Sequence, residues 1–400
     1  MENLIHKDSS CKSIPEASPS ETRGQTRISC PPQVVIGLDT LEISLHLSIQ
    51  DYSIFDKLSF CKKEVQDTFN SSVAFNFGSK EFFKWNLQRT GTKLYPYVLR
   101  SGDISLLLSS RKGDSTIPNC KIEFGSISSH NDVFEIYRML LAWLHCYGFT
   151  VRKEIISRVD LACDCIGVSI NDIHVSSGDR WITRARKFSV FYEDWNLTGI
   201  MLGKGSMALR IYDKAIELKK DSYKAMFFYN LWNLSLTDDS EIPITRVEFQ
   251  FRRDVLKQFA IPVNTVKELQ KNIDTLWQYA SSKWARLTNS SVDRKNKNHQ
   301  RSESSPFWKI IQSVIFNLPS SPNKRLKNVV CKNLKSLRDQ ARGCLLNVVA
   351  AAGHDPADFF GILATVQDIV SQDFSEFMTD HYSKFFKKFN VRLNECYVGF

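Results

Sequence analysis

Three segments of the sequence place charged side chains where a β-strand is expected to be apolar. The first, residues 157–164, puts Arg158, Asp160 and Asp164 on one face by the two-residue period of a strand. Charged residues seldom occupy the middle of a strand, so this pattern is unusual. Carboxylates suit hard cations such as Mg²⁺ or Mn²⁺. The segment therefore predicts either a metal site or a solvated sheet face on which Arg158 neutralises the acids.

The second segment, residues 245–252, repeats the pattern. Glu248 shares a face with Arg246 and Arg252, while the alternate positions are apolar. A second strand with an acid between arginines favours a functional sheet face. If the two strands are neighbours, Asp160 and Glu248 can approach a common ion.

The third segment follows a predicted hairpin turn at Gly203–Gly205, which lacks the spacing of a phosphate-binding P-loop. The alternation beyond the turn puts Arg210, Tyr212 and Lys214 on the polar side. A phenol ionises only near pH ~10, so attack on phosphorus requires cations beside it. Tyr212 is thus either a nucleophile for phosphoryl transfer or simply a half-buried strand residue.

These segments, in this order, resemble the replication initiation factor family of rolling-circle plasmids and phages, and the related relaxases of integrative elements. The resemblance extends from about Val35 to Ile261 and is carried by residues 158–164, 210–214 and 246–252. The sequence has no His-hydrophobic-His pair, the usual metal-binding motif of other nickases, and an acidic cluster is expected in this family instead.

The resemblance implies an enzyme that nicks one strand at an origin, keeps a 5′-phosphotyrosine and frees a 3′-OH. It makes Tyr212 the nucleophile, with Arg210 and Lys214 balancing charge. The acids Asp160, Asp164 and Glu248 become the ligands of Mg²⁺ or Mn²⁺. Two further acids, Asp39 and Glu123, are left undecided as ligands.

DNA, single-stranded at the nick site, is the implied partner. Host helicase and polymerase are further candidate partners, and a homodimer is a candidate assembly. Three alternatives stay open: a sequence-specific DNA-binding regulator without catalysis, a conjugative relaxase, and a metal-dependent nuclease without a covalent intermediate.

Composition is compatible with this reading. The 400 residues are 42% hydrophobic and carry a net charge of +10, which favours a polyanionic partner. The ten cysteines form no CxxC pair, and no apolar stretch is long enough to span a membrane. Reduced thiols and the absence of a membrane segment predict a cytoplasmic location.

The elements that must position these residues predict an α+β fold. We expect an antiparallel-sheet, nickase-like catalytic domain with flanking helices, followed by an α-helical C-terminal domain. The predicted divisions are a disordered leader over residues 1–30, the nicking domain over 31–262 and the helical domain over 263–400. Local patterns predict a strand over residues 95–108, a helix over 214–232, and a helix over 265–287 that begins at a capping box of Thr265 with Glu268. Residues 289–305 are polar and are expected to form a solvated linker or a DNA-contacting loop.

Two expectations concern the C-terminal part. A fragment of residues 31–290 is expected to keep cleavage of single strands. Basic side chains of the helical domain are expected to hold duplex phosphates, or else to form a solvated helix face; they are Lys324, Arg325, Lys327, Lys332, Lys335 and Arg338.

Overall fold

A large antiparallel β-sheet organises the chain. The structure is a computed structural model that describes residues 32–78, 82–237, 241–293, 295–296, 298–316, 334–355, 358–369 and 371. Together, its helices and antiparallel strands confirm the predicted α+β class. The leader predicted over residues 1–30 lies outside the described residues.

The main sheet has eleven strands, in the order β2-β3-β4-β5-β6-β1-β7-β12-β11-β10-β9, and a second sheet pairs β13 with β8. The strands are β1 (Gln33–Ile49), β2 (Ser72–Phe75), β3 (Trp85–Gln88), β4 (Tyr97–Ser101), β5 (Ile104–Leu108), β6 (Cys120–Phe124), β7 (Phe149–Ile166), β8 (Trp181–Thr183), β9 (Phe188–Glu193), β10 (Asn196–Gly203), β11 (Met207–Asp213), β12 (Ile244–Arg252) and β13 (Ala285–Leu287). The long strands β1 and β7 lie side by side at its centre.

Helices lie on both faces of the sheet. They are α1 (Ser53–Asp67), α2 (Ser126–His130), α3 (Val133–Cys146), α4 (Lys214–Leu218), α5 (Ser222–Leu231), α6 (Arg253–Leu256), α7 (Val266–Tyr279), α8 (Pro306–Ser313), α9 (Leu334–Ala351) and α10 (Phe359–Asp368). Within the described ranges, no helix combines the length and apolar character needed to cross a bilayer.

One face of the sheet forms the main hydrophobic core. On β7 the alternate residues Val159, Leu161 and Cys163 are fully buried in it, as the strand period requires. Helices α3, α7 and α8 contribute to the same core, so burial of apolar surface fixes them against the sheet. The core extends past the domain boundary predicted at residue 262, as far as Val314, and the domain division itself stays a prediction.

The opposite face is covered at one end by α4 and α5. A smaller core forms there, in which Phe228 and Trp232 pack against Ile166 and Ile244 of the sheet. Both helices begin at aspartate caps, because Asp213 and Asp221 accept backbone hydrogen bonds from the first turns. The cap at Asp221 divides what the sequence predicted as one helix over residues 214–232.

Two other predicted elements differ from the structure. The strand predicted over residues 95–108 is the hairpin β4–β5, whose turn contains Gly102 in a left-handed conformation (φ 58°). The helix predicted from Thr265 to Leu287 starts at the expected capping box with Glu268. The α-helix ends at Tyr279, and residues 280–284 continue it as one turn of π-helix. Residues 285–287 are not helical, because they form β13 and pair with β8.

The C-terminal region is described only in part. Helices α8, α9 and α10 agree with the helical period predicted there. Lys324, Arg325, Lys327 and Lys332 lie outside the described residues, and Lys335 and Arg338 belong to α9.

Candidate active site

The candidate site lies on the polar face of three neighbouring strands, β7, β12 and β11. Their register sets Asp164 opposite Arg246, and Arg246 opposite Tyr212. Two residues along β12, Glu248 stands opposite Arg210. Directly opposed residues of antiparallel strands project to the same face. The three segments identified in the sequence therefore meet on one surface.

The Tyr212 hydroxyl donates a hydrogen bond to Oε2 of Glu248 at 3.1 Å. The other carboxylate oxygen, Oε1, accepts from Nη1 of Arg210 at 2.5 Å. Arg210 also donates to Oε1 of Gln250 at 2.9 Å. Glu248 is nearly inaccessible, whereas 34% of the Arg210 side chain is exposed. One buried carboxylate thus links a phenol to a guanidinium that solvent can reach.

The environment of Glu248 makes it a base suited to neutral pH. Burial is the largest cause that raises its pKa, and the charges of Asp39 and Asp160 add to it, so that the pKa reaches about 7 despite the nearby arginines. Burial, and then the charge of Glu248, raise the pKa of Tyr212 well above its ordinary value. The phenol is therefore protonated at neutral pH, beside a carboxylate able to accept its proton.

Asp160 is fully buried and held by two arginines. Nε of Arg158 donates to its Oδ1 at 2.9 Å, and Nη2 of Arg158 contacts Oδ2. Nη1 of Arg210 lies 3.6 Å from the same Oδ2. Burial raises the pKa of Asp160 although both arginines oppose the shift. Arg210 therefore stands between the carboxylates of Asp160 and Glu248.

Asp164 has a different set of contacts. Nε and Nη2 of Arg246 donate to its two oxygens at 2.5 and 2.6 Å, a bidentate pair, and the Trp232 indole donates at 2.9 Å. Asp164 and Arg246 are completely inaccessible. These contacts hold β7, β12 and the end of α5 together. The ligand role predicted for Asp164 stays a prediction, and a cation there would compete with Arg246.

Asp39 joins the site through a bulge that the sequence does not reveal. The pairing of β1 with β7 shifts register between Leu38 and Thr40, and a bulge can re-aim a side chain. Oδ1 of Asp39 lies 2.5 Å from Nη1 of Arg246. Burial raises the pKa of Asp39, but Arg246 and other cations outweigh it and the net shift is downward. The sequence left this acid undecided, since strand alternation alone does not predict a bulge.

Lys214 begins α4 and is only 2% exposed. Its Nζ pairs with Glu217 and lies 5.7 Å from the centre of the Tyr212 ring and 4.7 Å from that of Phe228. Burial, then Arg246, lower its pKa. The structure thus places the predicted cation beside the ring of the predicted nucleophile.

Glu123 is set apart from this group. It lies on β6, two strands from β7, and pairs with Lys121 at 2.6 Å. Lys121 also binds Glu42, which in turn contacts Arg158 at 3.4 Å. This ladder of ion pairs accounts for Glu123 without a metal.

The donor chemistry of the acids suits a hard cation. Asp39 and Asp160 lie close enough to Glu248 for their charges to raise its pKa. Neighbouring acids shift a pKa upward in this way when cations do not fully neutralise them. Yet no three His, Cys, Asp or Glu side chains converge tightly enough to enclose an ion in the ranges that the structure describes. Arginines occupy the oxygens of the acids in this arrangement, and the metal stays a prediction.

No protein-family model matches the sequence, and no curated protein matches it. The chain is similar to the rolling circle replication initiator protein from Geobacillus stearothermophilus, with 12% identity and a TM-score of 0.38, over 69% of this chain and 94% of that chain. A similarity at this TM-score decides neither the fold family nor the activity.

Proposed function

We propose that this chain is a rolling-circle replication initiator that nicks and rejoins one strand of DNA through a 5′-phosphotyrosine at Tyr212. The observation that supports this most directly is the hydrogen bond of the Tyr212 hydroxyl with Glu248, whose other oxygen binds Arg210. A phenol, a base and an accessible cation are the groups that attack on a phosphodiester needs.

Glu248 acts as the general base. As the Tyr212 oxygen bonds to phosphorus, the phenol proton moves to Oε2 of Glu248, along the 3.1 Å hydrogen bond already present. The bond from phosphorus to the 3′ oxygen breaks, and that oxygen takes a proton from solvent. The phosphorus is then bonded to the Tyr212 oxygen and keeps its bond to the 5′ oxygen of the downstream strand. Attack by a 3′-OH on this phosphotyrosine reverses the step without ATP.

Arg210 is the residue that meets the phosphate. Its guanidinium is partly exposed and bridges Glu248 and Gln250. A phosphate entering from the open face takes up part of this hydrogen-bonding capacity, since a guanidinium offers five donors. Lys214, beside the Tyr212 ring, adds positive charge as the phenolate forms.

Asp160 and Glu248 would hold Mg²⁺ or Mn²⁺, with the charge of Asp39 acting on Glu248. When bound, the ion polarises a non-bridging oxygen of the phosphate. Asp164 would join these ligands only by giving up its contacts with Arg246.

DNA, single-stranded at the nick, is the proposed substrate, and host helicase and polymerase are the proposed partners that use the freed 3′-OH. A homodimer is likewise part of the proposal.

The test is a covalent adduct. The full chain is incubated with Mn²⁺ and a random-sequence single-stranded oligonucleotide library labelled at the 3′ end, because a 5′-phosphotyrosine retains the 3′ part of the strand. A labelled protein band on a denaturing gel is expected, with the nucleotide mapped to the peptide containing Tyr212.

Matched variants separate the alternatives. Tyr212→Phe removes only the hydroxyl and should abolish the adduct, whereas Tyr192→Phe, on an exposed strand position, should not. Cleavage without any adduct would identify a nuclease that lacks a covalent intermediate. Binding without cleavage would identify a regulator, and either result would overturn the proposal.

A further inference from the structure

The edge strand β9 carries an aromatic side chain in line with the site. Phe191 stands opposite Gly199 on β10, and Gly199 stands opposite Tyr212 on β11. Residues opposed in this way share a face, so Phe191 and Tyr212 project to the same side, about 10 Å apart at the strand spacing. Phe191 is 49% exposed. An accessible ring thus lies two strands from the phenol.

Gly199, which stands between the two aromatic residues, has no room for a side chain. A Cβ added to it would lie 3.1 Å from both the Ile211 carbonyl oxygen and the Cβ of Tyr212. Those contacts are tighter than ordinary van der Waals distance, so a side chain here would press on Tyr212. The missing side chain at Gly199 therefore lets Tyr212 pack closely against the β10 backbone.

The hairpin that joins β9 to β10 presents a second ring. Asp194 and Trp195 both have positive φ, at 48° and 67°, and the Trp195 side chain is 98% exposed. A two-residue hairpin turn of this type requires positive φ at both positions, a conformation that small residues adopt more readily than a bulky one such as Trp195. A fully exposed indole at this tip contributes no buried apolar surface to the stability of the fold.

Positive charge lies at the other end of the same edge. Arg184, Arg186 and Lys187 precede β9 and are exposed, as is Lys204. Gly203 donates its backbone N–H to the Lys187 carbonyl at 2.8 Å, which places Lys187 next to the β10–β11 turn. Exposed rings and basic side chains along one edge are the combination that binds single strands, since phosphates meet the cations and bases stack on the rings.

We propose that Phe191, together with Trp195, stacks the bases of single-stranded DNA next to the phosphate that Tyr212 attacks. The inference deepens the proposed function and rests on it. Stacking accepts every base because each has a π-face, so this edge holds the strand without selecting its sequence.

Binding of labelled oligothymidylate, measured by fluorescence anisotropy with EDTA present so that no metal-dependent cleavage occurs, tests this platform. Phe191→Leu keeps apolar bulk but removes the ring face, and we expect binding to weaken about fivefold or more. Trp195→Leu should act in the same direction. Phe191→Tyr should bind as the parent does.

Two controls make the result specific. Tyr192→Leu alters the adjacent exposed aromatic, which the strand alternation directs to the other face, and should leave binding unchanged. An abasic oligomer of equal length should bind the parent and Phe191→Leu equally. Equal thymidylate binding by parent and Phe191→Leu, or an equal loss with the abasic oligomer, would overturn the platform. A missing Tyr212 adduct would instead overturn the proposed chemistry, and this binding measurement does not depend on it.

Discussion

At the scale of single residues, the proposed chemistry depends on Glu248. Its carboxylate accepts from both Tyr212 and Arg210 while being almost completely buried. Burial and neighbouring acids bring its pKa to about 7, so a change of pH near neutrality changes its charge. A general base is most effective when its pKa lies near the working pH.

We expect the rate of nicking to rise with pH and then to level off at or below about pH 7, because only ionised Glu248 accepts the phenol proton and a cation bound beside it favours the ionised form. Glu248→Gln should lower the rate by about 10²- to 10⁴-fold and remove this step. Initial rates over roughly pH 5 to 9 measure it. A wild-type rate that does not rise anywhere over this pH range would contradict the role of Glu248 as base.

The same shift predicts the pH dependence of stability. The folded pKa of Glu248, about 7, exceeds its ordinary value of 4.5, so the folded state binds more protons between these pH values. Its contribution is present below the lower value and is lost as pH rises through the upper one. Glutamine has no such charge. The free energy of unfolding of Glu248→Gln, minus that of wild type, should therefore be larger at about pH 8 than at about pH 5, and urea unfolding at the two pH values measures it.

Asp160→Asn tests the acid group as a cation site. We expect the Mn²⁺ concentration for half-maximal nicking to rise by at least about tenfold, since even residues behind the ligands have effects of that size. DNA binding should persist, because Arg210 remains. Asp254→Asn, an exposed acid paired with Lys257, is the control and should behave as wild type. Unchanged Mn²⁺ dependence in Asp160→Asn would remove this acid from the proposed ligands.

At the scale of elements, the helix pair α4–α5 is attached to the sheet by a buried ion pair. Asp164 on β7 holds Arg246 on β12 and receives the indole hydrogen of Trp232, which follows α5. Arg246 extends the link to Asp39 on β1 and lies 4.7 Å from the Phe228 ring centre. These contacts position Tyr212 indirectly, because its strand pairs with β12.

Asp164→Asn should lower the free energy of unfolding by about 3–5 kcal/mol, because it leaves the buried Arg246 charge without its partner. Trp232→Phe removes the indole hydrogen bond and part of the buried ring volume, and it should lower the free energy of unfolding by at least about 1–3 kcal/mol. Urea denaturation measures both. If Asp164→Asn were as stable as wild type yet unable to nick, Asp164 would be a metal ligand, as first predicted from the sequence, and not a structural tie.

At the scale of the whole molecule, one core extends from the sheet to α8. Trp308 of α8 is fully buried, with its ring centre 5.1 Å from that of Trp181 and 6.3 Å from that of Phe249. Its indole donates to the Ser281 carbonyl at 2.8 Å. Residues after the predicted linker are therefore part of the unit that supports β12.

A chain ending at residue 316 should keep cleavage of single strands, whereas one ending at 290 should be unstable. The shorter fragment loses Phe307, Trp308 and Ile311 from the core. Each large buried apolar side chain contributes roughly 1.5–3 kcal/mol, against a total stability of about 5–15 kcal/mol. Thermal unfolding and adduct formation measure the difference. Equal stability of the two fragments would contradict this account and restore the expectation for residues 31–290.

The sequence by itself determined the polar faces of β7, β11 and β12. A strand period of two is a local property, so Asp160, Tyr212 and Glu248 could each be assigned to the polar side of its own strand without knowing the neighbouring strands. The capping box of α7 and the α+β class followed from similarly local patterns. Local periodicity, however, does not specify which strands pair or in which register.

Only the tertiary structure decided how these residues meet. The order β7-β12-β11 brings Glu248 to Tyr212, and the bulge in β1 aims Asp39 at Arg246. Pairing with β8 turned residues 285–287 from a predicted helix into a strand. These outcomes depend on hydrogen bonds and burial between segments far apart in the chain, whose free energy outweighs local preference.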